Sequence, residues 1–148
     1  MKRRLTAREK LHRDQQVKFA KDPQGRAMVI PRPVDVDAAV RKVRRGRLTT
    51  IAAIREKLAK DFGTETACPF CTGIFVTIAS RAAEEGRAEG RKRITPWWRV
   101  VRDNGALNEK FPSAFKLQAR MLKAEGHRLD TSRKAPRVVG WERALQKL

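Results

Sequence analysis

Apolar residues recur along the 148-residue chain in short helical registers separated by polar, basic stretches. Val36, Ala39, Val40 and Val43 follow the i, i+3, i+4, i+7 spacing that lines one helix face, predicting a short amphipathic helix from Asp35 to an end at Gly46. Thr50 can cap a second helix whose buried side is Ile51, Ile54 and Leu58, with Gly63 just beyond its end. After a turn at 63–66, Pro69 suits the first turn of a longer helix, where a missing N–H costs nothing. Ile74, Phe75, Ile78, Ala79 and Ala82 form its predicted apolar stripe, and Gly86 its end. A last helix is expected after a Ser113 cap, carrying Ala114, Leu117, Met121 and Leu122 on one face and stopping near Gly126.

The stretches between these helices are less regular. Met28, Val29 and Ile30 read as an extended element closed by Pro31 and Pro33, which keep preceding residues out of the α region. Leu5, Leu11, Val17 and Phe19 are too unevenly spaced to define a buried face, so residues 1–27 read as a basic N-terminal arm, partly helical at most. Residues 84–93 form a charged loop ending in Arg91, Lys92 and Arg93. Trp141 and Leu145 are expected to fold back onto the domain from a basic tail. The expected organisation is an arm at 1–27, one domain at 28–130 and a C-terminal tail at 131–148, with no internal repeat.

Charge narrows the class of partner. Lys and Arg number 35 against 16 acidic residues, a formal net charge of +19 and a pI near 11.3. Such an excess calls for a polyanion, and nucleic acid gains salt-sensitive affinity from each phosphate neutralised. An anionic membrane surface is the rival partner. No apolar run is long enough to span a bilayer, and no hydrophobic signal core follows the basic start, so no membrane role and a cytoplasmic location are expected. Cys68 and Cys71 are too few for a disulfide scaffold and fit a reducing compartment. Their Cys-x-x-Cys spacing matches thiol redox motifs, but the surrounding βαβ pattern of a thioredoxin is missing. Zinc would need two more ligands, and His12 and His127 are the only histidines. No metal and no cofactor are expected.

The run Ile94-Thr95-Pro96-Trp97-Trp98-Arg99-Val100-Val101 is followed by Asp103-Asn104-Gly105 and, after a helical stretch, by Ala124-Glu125-Gly126-His127. It resembles the active-site segment of the O6-alkylguanine-DNA alkyltransferases, which reads Pro-Cys-His-Arg-Val, a glycine turn, and a helix ending Glu-Gly-His. By that resemblance Pro96 matches the proline before the nucleophile, and Arg99, Val100 and Val101 match the residues after the relay histidine. Glu125 matches the acidic end of the relay. Trp97 stands at the reactive cysteine and Trp98 at the histidine. An indole has no free lone pair to accept an alkyl group, so the resemblance carries no catalysis. It is nearer to the alkyltransferase-like proteins, which carry Pro-Trp-His-Arg at this point. Gly46-Arg47-Leu48-Thr49-Thr50 likewise resembles the family's Gly-x-Val-x-Ser/Thr entry to its helix-turn-helix. The resemblance spans about residues 29 to 129. The chain departs from the family at Ile51, where the enzymes have a tyrosine, and near Cys68 to Gly73, where their intercalating arginine has no counterpart. Glu89 is nearest by count to a family loop asparagine.

Together these features predict a mainly α fold with a small β-element, a winged-helix-like helix-turn-helix DNA-binding domain. The resemblance implies a monomeric, non-enzymatic protein that binds double-stranded DNA and marks flipped O6-alkylguanine for nucleotide-excision-repair proteins. Trp97, Trp98 and Glu125 are the expected lesion pocket, where base–aromatic stacking is worth roughly 1 to 3 kcal/mol. The competing expectation is that an indole fills the vacated cavity as core. Thr50, Thr66, Cys68 and Thr72, at the heads of the two helices, are the expected DNA contacts, with Arg91, Lys92 and Arg93 on phosphates and Arg99 steadying the flipped strand. His127 is expected to serve packing or the helix dipole. Two other readings stand beside this one: a repair enzyme using Cys68 as alkyl acceptor or Glu125 in a glycosylase-like step, and a general basic nucleic-acid binder, of RNA or DNA, without a lesion pocket.

Overall fold

In the computed structural model, which describes residues 3–148, a mostly helical chain carries three small sheets. The first helix, α1 (Ala7–Leu11), opens on a capping box in which the Thr6 hydroxyl accepts the Glu9 N–H and the Glu9 carboxylate accepts the Thr6 N–H. A hairpin of β1 (Lys18–Lys21) and β2 (Ala27–Ile30) follows, turning at Asp22 to Gly25, where Gly25 takes a φ of +79°. Next come α2 (Pro33–Arg41), β3 (Thr49–Thr50) and α3 (Ile51–Phe62). Thr50 caps α3 as predicted, its hydroxyl accepting the Ala53 N–H at 3.1 Å, and Gly63 closes the helix in the left-handed region. Then follow β4 (Thr66–Ala67) and the long α4 (Pro69–Ala88), started by Pro69. A 3-10 turn at Trp97–Arg99 leads into β5 (Val100–Val101), α5 (Phe115–Ala124), β6 (Leu129–Asp130), β7 (Arg137–Val138) and α6 (Trp141–Ala144).

The strands mainly clamp these helices. β2 pairs antiparallel with β1 and parallel with β4, while β3 pairs parallel with β5, Thr49 opposite Val100. β6 and β7 form a separate antiparallel pair. Val36 and Val40 of α2, Ile54 and Leu58 of α3, Val76 of α4, Trp97, Val100, Leu107 and Leu122 share one core. Among the described residues no helix is long and apolar enough to cross a membrane.

Several expectations change. The first two residues of the expected arm lie outside the described residues, but the rest of 1–27 is joined to the fold. Ala7 and Leu11 are buried against Ala79 and Ala82, and the Glu85 carboxylate accepts the Ala7 and Arg8 N–H groups, both at 2.9 Å. Two buried residues a turn apart suffice because a carboxylate on α4 satisfies the free end of so short a helix. The helix predicted to reach Gly46 stops at Arg41, and Gly46 instead takes a φ of +80°. The predicted stripe of α4 is rotated. Thr72, Val76, Ala79, Ser80 and Ala83 are buried while Ile74 is exposed. Counting apolar residues alone missed this, because Thr72 and Ser80 satisfy their hydroxyls on the Cys68 and Thr77 carbonyls and so enter the core. The helix also runs past Gly86 to Ala88. Ser113 does not cap α5: Ser113 and Ala114 sit at φ of 60° and 52°, and helical geometry begins only at Phe115. The tail is structured too, with Trp141 over Gly105 and Gln146 bonded to Leu48 and to Lys42.

Replacing Glu85 by Ala should remove the acceptor that docks α1, costing about 2 kcal/mol, the scale of bonds to a charged group. Amide exchange across Ala7–Leu11 should then rise to loop-like rates while α3 and the centre of α4 stay protected. Unchanged exchange in α1 would show that Leu11 packing alone holds it.

Candidate nucleic-acid interface

The motif segment folds inward. Pro96 leads into the tight turn that carries both tryptophans, and Trp97 is 0% exposed and Trp98 6%. Trp97 meets Phe111 and Trp98 edge to face, with ring centroids 5.3 and 5.9 Å apart. Each indole N–H finds a carboxylate. Trp97 Nε1 donates to Glu84 of α4 at 2.9 Å and Trp98 Nε1 to Glu125 at 2.6 Å. The Arg87 and Arg99 guanidinium groups lie 5.8 and 5.5 Å from the Trp98 ring. Glu125 also receives Arg99 Nη2 at 2.9 Å and the Gly46 N–H at 2.9 Å, while Arg99 Nη1 reaches the Val43 carbonyl at 2.7 Å. Burial works against the Glu125 charge, but the bonds from Arg99, Gly46 and Trp98 outweigh it and hold the carboxyl below its ordinary range. The carboxylate is therefore ionised at neutral pH and fully engaged, unsuited to act as a general acid.

The expected indole-lined pocket is thus occupied by the indoles. Trp97, Trp98 and Glu125 come together as expected, but as core, and none of the three lines either of the two large clefts among the described residues. Arg99 belongs to the same cluster and does not reach out to a strand. Thr50 and Thr72 are buried, with hydroxyls used by Ala53 N–H and the Cys68 carbonyl, and half-buried Thr66 accepts from Arg55. Cys68 is buried at the N-cap of α4, its sulfur 2.9 Å from that of Cys71. Burial, and then the adjoining Cys68 sulfur, push the Cys71 thiol up to about 11. An activated thiol needs the opposite shift. Burial lowers His127 from its ordinary value against the pull of Glu125, and its Nε2 is enclosed without a partner, a packing position. Arg91, Lys92 and Arg93 are exposed as expected.

What faces outward is a different set. Phe70 is 81% exposed and Ile74 58%, one turn apart on the N-terminal half of α4. Beside them opens a cleft of about 780 Å³ between α4, Ile51 at the head of α3 and the loop after β5. Arg102, Asn104, Asn108 and Lys110 line its far wall, and Asp103 accepts the Ala52 N–H at 3.2 Å, fixing the loop to α3. A second cleft of about 610 Å³ shares Gly73, Ile74, Thr77 and Lys110 with the first and adds Lys10 and Arg81. Its wall includes Ser113, next to the left-handed Ala114. Two adjacent non-glycine residues in that region mark a loop held in a costly conformation by its surroundings. The one sequence signal for this surface was the pair Phe70 and Ile74, four apart, on a helix whose other apolar residues close the core without them.

No protein-family model matches the sequence, and no curated protein matches it. Two solved structures are similar in fold. One is S. pombe Atl1 in complex with damaged DNA containing O6-carboxymethylguanine, 21% identical, with a TM-score of 0.49 over 78% of this chain and 94% of that one. The other is S. pombe ATL in complex with DNA, 18% identical, with the same TM-score and coverage.

Truncating Trp97 to Ala should cost about 3 to 5 kcal/mol in urea unfolding, the cost of emptying a core aromatic site. A loss below about 1 kcal/mol would place Trp97 outside the core. Replacing Glu125 by Gln should cost about 3 kcal/mol at neutral pH by leaving Arg99 buried and unpaired. Because the folded Glu125 carboxyl sits below its ordinary range, its contribution is complete above the unfolded value and lost as pH falls through the folded one. The gap between parent and variant should therefore close on acidification.

Proposed function

We propose that the chain is a non-enzymatic DNA-binding protein that reads duplex DNA with the N-terminal half of α4 and receives an extruded O6-alkylguanine in the adjoining cleft. The observation that carries this reading is the exposed Phe70 and Ile74 pair at the mouth of a cleft walled by Arg102, Asn104, Asn108 and Lys110. Exposed apolar side chains beside amide and cationic groups offer a base both a face to stack on and edges to bond. On this reading α3 and α4 are the helix-turn-helix pair of a winged-helix-type domain, with α4 the groove-facing member. The net charge of +19 supplies the sequence-independent part of the affinity. Chemistry on the base is disfavoured because the Cys71 thiol is raised, Cys68 is buried and Glu125 is committed to three donors. The resemblance of the 94–127 segment to alkyltransferase-like proteins supports a repair role in which a monomer marks the lesion for nucleotide-excision proteins.

A second reading, a general basic nucleic-acid binder, is favoured by the burial of both indoles, which takes from the site the tryptophans expected to select an alkylated base. The two readings part on one comparison. Affinity for a duplex carrying O6-methylguanine should exceed that for the same duplex with guanine by about tenfold, or roughly 1.4 kcal/mol, across a salt series. Replacing Phe70 and Ile74 together by Ala should erase the preference while leaving thermal unfolding unchanged, since both side chains face solvent. Equal, steeply salt-dependent binding to the two duplexes would leave the general binder. A gain in intact-protein mass equal to the alkyl group would restore the enzyme.

A further inference from the structure

The far end of α4 carries a second surface with its own chemistry. Arg8 on α1, Arg41 on α2, and Arg91 and Arg93 in the loop after α4 surround a small cavity of about 50 Å³ floored by Ala83 and Gly86. Two of these arginines are already matched. Arg8 pairs with Glu89, and Arg41 with Asp37, whose other oxygen accepts the Thr95 hydroxyl at 2.6 Å. Arg91 and Arg93 form no ion pair among the described residues, although the Glu89 carboxylate that holds Arg8 also feels the Arg91 charge. Arg8 and Arg41 each keep N–H donors beyond their ion pairs, since a guanidinium carries five.

The loop is held in place for this arrangement. The Arg91 N–H donates to the Gly86 carbonyl at 3.0 Å, and a Cβ at Gly86 would lie 3.3 Å from Arg91 Cδ, so the missing side chain lets Arg91 lie close across the helix end. The cavity's volume, about 50 Å³, is roughly that of one or two waters, too small for a nucleobase and enough to seat one or two oxygens of a tetrahedral oxyanion held at its mouth. Gly86 lies thirteen positions along α4 from Gly73 in the first cleft, about 20 Å along the helix axis. Four arginine side chains lining one small cavity, two of them without an ion pair, match the charge and the donor forks that a phosphate group calls for.

We propose that the cavity between α1, α2 and the C-terminal end of α4 is a phosphate-binding site distinct from the α4 cleft. The phosphate is either a free or terminal phosphate group or a backbone phosphate of a bound nucleic acid. With a free or terminal phosphate the site stands independently of the DNA reading above; with a backbone phosphate it rests on that reading.

Inorganic phosphate titrated into the full chain at constant ionic strength, against a chloride control, tests it by NMR at the Arg91 and Arg93 side-chain N–H groups and the Gly86 and Thr95 amides. Saturable shifts confined to these groups are expected, weakened about tenfold or more in the Arg91→Gln, Arg93→Gln double variant. That variant should unfold at the parent's temperature in phosphate-free buffer, because both side chains are exposed. Shifts that spread over the surface without saturating, or that persist in the variant, would overturn the site, and duplex binding measured in parallel would then show whether the DNA reading survives alone. The salt dependence of duplex binding separates the two sources. A slope reduced by about one in the variant, the share of a single phosphate, assigns the site to a backbone phosphate, and an unchanged slope assigns it to a free or terminal phosphate.

Discussion

The carboxylate of Glu125 is the point on which the architecture turns. It takes N–H donors from Trp98, Arg99 and Gly46, and so ties the end of α5 to the 3-10 turn and to the link between α2 and β3. None of these donors is replaceable by water, because the Glu125 side chain is almost wholly enclosed. A buried charge is tolerable only when its partners are complete, which makes the set cooperative: losing one partner strands the others. Gln118 extends the same logic, its amide N–H group bonding the Trp98 and Val100 carbonyls while its oxygen accepts the Asn108 N–H. The loop that walls the cleft is thereby positioned from inside the core.

That arrangement decides what the two tryptophans do. Each indole N–H is a donor that must be satisfied when buried, and each meets a carboxylate on a different helix, Glu84 on α4 and Glu125 at the end of α5. The residues standing where a nucleophile and its relay would be expected therefore work as two staples. Two packed indoles leave no open space between these helices. Any recognition of a base then falls to the surface outside the staples, where α4 turns Phe70 and Ile74 to solvent.

Much of this was legible in the chain. Thr50 as a cap, Gly63 as a stop, Pro69 as a start and the apolar register of α2 all rest on local backbone chemistry, which needs no tertiary context. What failed depended on partners remote in sequence or on loop and side-chain bonds that apolar spacing does not report. The α1 segment gains its acceptor from Glu85, and Ala114 holds a left-handed conformation within a loop anchored by Phe111 and Asn108. The stripe of α4 was misread because that helix is buried on more than one side, by α2 and α3 and by α1, so small polar residues with local acceptors outcompeted Ile74 for the interior. The motif segment placed Trp97, Trp98, Arg99 and Glu125 together, and spacing carried no information on whether they faced in or out.

The length of α4 is what lets one helix serve two ends. Twenty residues span about 30 Å. Its middle is occupied by core contacts through Val76 and Ala79, so neither end can shift without disturbing the interior. The N-terminal half presents apolar side chains with polar loop groups opposite, suited to a flat, unsaturated ring. The C-terminal end presents guanidinium groups around a small cavity, suited to a compact anion. The packing of α1 matters for the same reason: by placing Arg8 beside Glu89 and burying Leu11 against Ala82, it converts what would be a frayed helix end into a fixed one.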